Sequence, residues 1–236
     1  MRLAVSILVL LAVAPVLAEC NPTNAAPDVA LAAAHSCGDG DAGWTPVLLR
    51  FGGSEVFGSP LPNVYGLGLG MFSVMADDVV GVELALGVSG AGHLYGFQAG
   101  GLGAGGMRLD GMALGGVMAG AERLEGVALA GLFAFAETGH GIVASFGVTD
   151  TGNAIALANA PRTPFTGIQL AGIANFSSDV TGVQLAIVFN LAWELHGLQI
   201  GLFNRAITGC GIQIGLLHIF GQEDDKTAIP FLNARF

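Results

Sequence analysis

Five glutamines form the most regular polar series in the chain: Gln98, Gln169, Gln184, Gln199 and Gln213. An amide can donate and accept hydrogen bonds, so glutamines on neighbouring strands can satisfy one another along a sheet. The same series could instead form a polar track through an apolar interior, along which a solute moves. The spacing alone is compatible with both hypotheses.

Other residue types that often carry chemistry show no catalytic or ligand-binding pattern. The histidines (His35, His93, His140, His196 and His218) form no pair three to five residues apart, as zinc sites usually require. The glycine-rich segment 101–106 could be taken for a phosphate-binding loop. Such a loop requires a helix after it, and here only another repeat copy follows. The acidic residues cluster in expected turns. We therefore expect no enzyme activity, no cofactor and no metal.

The first 50 residues differ from the rest of the chain. Arg2, the apolar run from Leu3 to Val13 and a small-residue site ending at Ala18 predict a secretory signal over residues 1–18. Residues 19–50 form a non-repeat segment, in which Cys20 and Cys37 are compatible with a disulfide in an oxidising compartment. A lipoprotein role for Cys20 is disfavoured by Glu19 beside it. Cys210, between two glycines, is interpreted as a small apolar residue.

Composition restricts the classes of partner. Charged residues make up 11% of the chain, glycine occupies 38 positions, and the net charge is −10. An acidic chain with so few Lys and Arg residues is a poor partner for nucleic acid. Beyond residue 18, no stretch has the ~20 uninterrupted apolar residues of a membrane-spanning helix.

A fifteen-residue repeat defines the domain over residues 51–236. Each copy opens with glycine, and we count eleven copies from Gly66 to Gly211, including two shortened ones that open near Ala154 and at Gly167. Within a copy the pattern has period two, which predicts a strand of about ten residues followed by a turn of about five. Turns are expected at Gly90–Gly92 and at residues 177–179.

Two all-β architectures could use this repeat: an antiparallel meander closed into an outer-membrane-type barrel, or a parallel β-solenoid with one coil per copy. Long unbroken alternation favours the barrel. So does the register of charges, because parallel coils would stack Arg108 on Arg123 and Asp110 on Glu125. We therefore predict the barrel, with the solenoid as the alternative. The barrel would direct Leu185 to lipid and Ala186 inward, whereas we expect the solenoid to bury Leu185 and expose Ala186.

The repeat and the chain ending together resemble the surface-repeat family first noticed in leptospires and found in other Gram-negative bacteria. The matching segments are NVYGLGLG (63–70), GIQLAGIAN, GVQLAIVFN, GLQIGLFN, GIQIGLLH and PFLNARF. The resemblance implies an exported envelope protein without assigned catalytic residues. We therefore expect a structural or interaction protein of the outer membrane or cell surface, in contact with lipid; the sequence does not identify a protein partner. A narrow transport channel lined by the glutamines is the alternative.

Overall fold

The computed structural model describes residues 44–50, 63–152, 163–221 and 227–235. The predicted signal (1–18), the Cys20–Cys37 pair and Ala154 lie outside these residues. The described part of the chain is all-β, as predicted, and its strands form one sheet. The strands are β1 (Trp44–Arg50), β2 (Asn63–Gly70), β3 (Ser73–Ala85), β4 (Val88–Gly100), β5 (Gly103–Gly115), β6 (Met118–Ala130), β7 (Phe133–Ser145), β8 (Val148–Thr151), β9 (Pro164–Ala171), β10 (Ala174–Ala186), β11 (Phe189–Ile200), β12 (Phe203–Phe220) and β13 (Thr227–Arg235). No helix long and apolar enough to cross a membrane occurs among these residues.

Successive repeat strands pair in parallel, which makes the predicted antiparallel barrel wrong and the alternative solenoid right. In β10 and β11, Gly182 pairs with Gly197 and Gln184 pairs with Gln199. The same fifteen-residue register joins β3 through β7. Each copy therefore stacks on the equivalent residues of the next, in a β-solenoid of about nine turns. We call a set of equivalent residues in successive coils a column.

The glycine that opens each copy forms a corner within a long strand. From Gly66 to Gly197 these glycines have φ between +128° and +155°, a region that L-residues with a Cβ rarely adopt. A Cβ at Gly182 would also collide with the carbonyl oxygen of Gly167 in the preceding coil. The glycine thus lets the chain change direction without interrupting the parallel ladder, and this corner is why long alternation does not require a barrel.

Two further irregularities divide each coil. First, one residue in each coil, such as Gly92 or Met107, has no partner in the ladder of paired residues. Second, a two-residue bend follows each long strand, as at residues 101–102. The turns expected at Gly90–Gly92 and at 177–179 are wrong, because these residues belong to β4 and β10. Each coil therefore has three short straight stretches, and the exterior of the solenoid has three faces.

An insertion explains the irregular spacing in the middle of the repeat. Both β8 and β9 pair with β7 on one side and with β10 on the other. They therefore form one coil, not the two shortened copies predicted, and the segment between them interrupts that coil. Gly141 stacks directly on Gly167 in consequence.

Small and amide side chains fill the interior, while larger aliphatic side chains lie outside. Gln184 is 0% exposed and Ala186 is 8% exposed, whereas Ile187 is 69% exposed. The side chains thus point inward and outward as the barrel prediction had them. The expectation that a solenoid would bury Leu185 and expose Ala186 is wrong. Another interior column consists of larger residues, including Leu94, Leu109, Leu124 and Leu195.

The two ends of the sheet are closed differently. At the first end, β1, which belongs to the segment set apart from the repeat, pairs in parallel with β2. At the other end, β12 continues past Gln213 and β13 returns antiparallel to it. The guanidinium of Arg235 lies 4.7 Å from the centre of the Phe220 ring.

Candidate functional site

Four of the five predicted glutamines form a continuous hydrogen-bonded ladder. The Nε2 atom of each donates to the Oε1 atom of the one before it: Gln184 to Gln169 at 2.5 Å, and both Gln199 to Gln184 and Gln213 to Gln199 at 2.7 Å. Gln169 donates to Thr151 at one end, and Asn233 of β13 donates to Gln213 at 3.1 Å at the other. All four glutamines are fully buried. The amides therefore satisfy one another, as the structural hypothesis requires.

Gln98 occupies the same column but is separated from the ladder. Ala113, Ala128 and Val143 fill the intervening positions and are fully buried. The Nε2 atom of Gln98 donates to the backbone carbonyls of Ser89 and Gly105, at 2.6 and 2.9 Å. The polar track is therefore interrupted across three coils.

A second amide ladder, which the sequence analysis missed, runs parallel to the first. Asn175 donates to Asn190 at 2.8 Å, and Asn190 donates to Asn204 at 2.7 Å. Each also donates to a backbone carbonyl, Asn175 to Leu185 and Asn190 to Ile200, both at 2.8 Å. His218 extends the column, with its Nδ1 atom 3.2 Å from Nδ2 of Asn204. The sequence did carry a signal for this ladder, because the three asparagines are spaced fifteen and fourteen residues apart, as the glutamines are.

One exterior face carries seven charged side chains; we call it the charged face and define it by two columns. The first contains Asp78, His93, Arg108, Arg123, Thr138, Pro164, Asp179, Glu194 and Thr208; the second contains Val80, Tyr95, Asp110, Glu125, His140, Thr166, Thr181, His196 and Cys210. Glu83, by contrast, is fully buried in the column of Gln98. Among the described residues, no group of three or more His, Cys, Asp or Glu side chains could hold a metal ion.

Like charges do stack on the charged face, contrary to the reasoning that disfavoured parallel coils. Arg108 pairs with Arg123 and Asp110 with Glu125 in the ladder. Contacts within a coil offset this repulsion: Arg108 Nε is 3.0 Å from Asp110 Oδ2, and Arg123 Nη2 is 2.9 Å from Glu125 Oε1. The hydrogen bond from Arg108 to Asp110, together with the charge of Asp110, raises the pKa of Arg108 above its ordinary value. Each arginine thus lies beside an acidic side chain of its own coil.

Between β11 and β12, the charged face brings together a thiol, an imidazole and a carboxylate. The Sγ atom of Cys210 lies 3.2 Å from Nδ1 of His196. The other ring nitrogen, Nε2, lies 2.9 Å from Oε1 of Glu194. All three side chains are accessible. Cys210 is therefore not simply a small apolar residue, and it was missed because its partners lie fourteen and sixteen residues away.

A second exterior face is apolar from end to end; we call it the apolar face and define it by two columns. The first contains Leu67, Val82, Phe97, Met112, Val127, Ile142, Ile168, Val183, Leu198 and Ile212; the second contains Leu69, Leu84, Ala99, Leu114, Leu129, Ala144, Leu170, Leu185, Ile200 and Ile214. Exposed residues of the adjacent bend, such as Leu102 and Leu132, widen it. An open apolar groove of about 520 Å³ runs along this edge. Neither column contains a charged or polar side chain.

Comparison of the chain with models of known protein families, with curated proteins and with solved structures gave no match. Membership of the surface-repeat family therefore stays a prediction based on the repeat itself.

Proposed function

We propose that this protein is a non-catalytic structural or interaction protein, exported to the cell envelope of a Gram-negative bacterium. In this proposal the apolar face packs against the same face of a second copy. The predicted signal over residues 1–18 and the resemblance of the repeat support the location. The apolar face is the single observation that supports the interaction.

The size of the apolar face suits a protein dimer. The ten positions of each column, stacked about 4.8 Å apart, give a length of roughly 45 Å, and the columns with the adjacent bend are roughly 15 Å wide. The face thus offers on the order of 700 Å² per copy, close to the ~800 Å² per partner of a standard interface. Exposed apolar patches of this size in soluble proteins usually mark interaction sites.

The distribution of charge favours a second copy over a lipid surface. With a net charge of −10 and only 8 Lys and Arg residues, the protein has little to attract anionic headgroups. Two acidic copies would repel one another if their charges met. In a face-to-face dimer, however, the charged face of each copy lies outside the contact, and two regular sheets can pack about 10 Å apart.

The test is the molar mass in solution of the full chain and of the double variant Leu102→Asp/Leu132→Asp. Both leucines are strongly exposed, at 59% and 61%, so the substitutions should leave the folded coil intact. Light scattering after gel filtration should give a dimer for the unchanged chain and a monomer for the variant. Tyr95→Asp, an exposed apolar-to-acidic change on the charged face, is the matched control and should remain dimeric.

Two outcomes would contradict the dimer. One is a monomeric unchanged chain across the micromolar range. The other is a monomer that sediments with neutral phosphatidylcholine vesicles and loses that binding in the double variant, which would identify lipid as the occupant. Recovery of the protein in the bacterial cytoplasm would contradict the proposed location.

The Gln-lined channel has no comparable support. Four of the glutamines are fully buried and use their amides on one another, and alanine or valine fills the column between them and Gln98. We therefore keep the structural role as the single proposed function.

A further inference from the structure

Glu194, His196 and Cys210 have the arrangement of a nucleophile, a base and a group that orients the base. Glu194 and His196 are two residues apart in β11, so both side chains point out of the charged face. Cys210 stacks on His196 in the next coil. The fold therefore supplies this geometry through register alone.

The carboxylate selects the tautomer that the thiol needs. At 2.9 Å, Oε1 of Glu194 accepts a hydrogen bond when Nε2 of His196 is protonated. This tautomer leaves Nδ1 as an acceptor, facing Sγ of Cys210 at 3.2 Å. His196 can therefore take the thiol proton as the sulfur attacks an electrophile, because the thiolate is the reactive form of cysteine.

A comparison within the protein shows that the arrangement is local to this coil. His140 occupies the same column as His196 and is also exposed. Its neighbours in that column are Glu125 and Thr166, so no thiol lies beside it. His140 is thus a natural control for an imidazole on the same face.

We propose that Cys210 is a nucleophilic thiol, assisted by His196 and positioned by Glu194, that undergoes exchange with low-molecular-weight disulfides. The Cys210 sulfur attacks one sulfur of R–S–S–R, forming a Cys210–S–S–R bond as the original S–S bond breaks. The released R–S⁻ takes the proton that His196 removed from Cys210. Cys210 is oxidised, and the departing half of the disulfide is reduced to R–SH.

Disulfide exchange needs fewer groups around the sulfur than acyl transfer does. Acyl transfer depends on donors aimed at a developing oxyanion, whereas exchange requires an attacking thiolate and a stable leaving thiol. Access is also open. The ladder between β12 and β13 begins at Gly211, so on the described strands Thr208 and Cys210 are paired only with β11. The charged face also lies outside the dimer contact proposed above, on which this inference does not depend.

The test measures the reaction of Cys210 with oxidised glutathione in the full chain carrying Cys20→Ser and Cys37→Ser, which leaves Cys210 as the sole thiol. Mass spectrometry should locate one glutathione on Cys210. The rate should exceed that of a peptide spanning residues 205–215 by at least about tenfold, as expected for assistance by a positioned base. His196→Gly should remove this advantage, and added imidazole should restore part of it. Glu194→Gln should lower the rate by a smaller factor that imidazole does not restore.

His140→Gly is the matched control and should leave the rate unchanged. A folded chain that reacts no faster than the peptide would overturn the proposal. So would an unchanged rate in His196→Gly. A His196→Gly variant that is slow but insensitive to imidazole would assign His196 a merely structural role, and would equally overturn it.

Discussion

At the scale of single residues, the solenoid depends on two kinds of position that tolerate little change. One is the corner glycine, whose positive φ and contact with the preceding coil exclude a Cβ. The other is the buried amide, whose donors and acceptors are used by its neighbours. Both contribute to stability through stacking, so a change in one coil also affects the next.

We expect Gly182→Ala to destabilise the protein by about 2–3 kcal/mol, because the new Cβ meets the Gly167 carbonyl oxygen at a strained φ. Gly103→Ala is the control. A Cβ there has its nearest contact at 3.7 Å, with the backbone oxygen of Met118, so the free energy of unfolding should be unchanged or slightly higher. Urea unfolding followed by circular dichroism checks both. Equal losses in the two variants would contradict the corner role.

Asn190→Ala tests the second amide ladder. The change removes a donor from the Ile200 carbonyl and from Asn204, and an acceptor from Asn175, all within the buried interior. Leaving such groups unpaired costs roughly 1–3 kcal/mol each, so we expect a total loss of about 3 kcal/mol. Thr181→Ala, on the exposed charged face of the neighbouring coil, should change stability by less than about 0.5 kcal/mol. A small loss for Asn190→Ala would mean that the ladder is replaceable by apolar packing.

At the scale of the strands, the sequence predicted the repeat, its alternation and the side chains that point inward. Period-two alternation is identical in parallel and antiparallel sheets, however, so it could not distinguish the solenoid from the barrel. The repulsion between stacked Arg108 and Arg123 counted as evidence against parallel pairing. The sequence does not show that contacts to Asp110 and Glu125 offset this repulsion. The cluster at Cys210 was similarly hidden, because it forms only when two coils stack.

The narrow coil explains why the aliphatic residues face outward. Fifteen residues divided over three short sides enclose little space, which alanine and flat, stackable amides can fill. A column of leucine is accommodated, with Leu94, Leu109 and Leu124 buried, but larger residues in every inward column would overpack the interior. Val183, Leu185 and their equivalents are therefore placed on the surface, where they form the apolar face.

The strand β13 is the element that ends the stack, and its removal should expose an edge. Deleting residues 227–236 takes away the antiparallel partner of β12 and the Asn233 donor to Gln213. Open sheet edges promote edge-to-edge pairing. We expect concentration-dependent assemblies larger than those of the full chain, seen by sedimentation velocity.

Asn233→Ala removes the donor but keeps the strand, so it should lower stability without causing further assembly. A truncated chain with the same molar mass as the full protein would contradict the protective role of β13.

At the scale of the whole molecule, each coil contacts mainly the coils before and after it, so the protein should behave as a one-dimensional array. The stability of such arrays is approximately a sum over repeats and their interfaces. The coils of β5 and β6 are close to interchangeable in the interior: Ala104 and Ala119, Leu109 and Leu124, and Ala113 and Ala128 occupy the same columns. The fold should therefore accept the loss of one entire coil.

Deleting residues 104–118 removes one complete coil and joins Gly103 to Ala119. Because Ala119 takes the column of Ala104, all downstream residues keep their columns, and the corner glycine Gly126 stacks on Gly96 in place of Gly111. Both amide ladders lie downstream, so they are preserved. We expect a folded, slightly shorter protein with an unchanged circular dichroism spectrum and a modestly lower free energy of unfolding. Deleting residues 104–110 is the control: it shifts the register by half a coil, buries outward residues and should abolish cooperative unfolding. Similar behaviour of the two deletions, whether both folded or both unfolded, would contradict a fold determined by the fifteen-residue register.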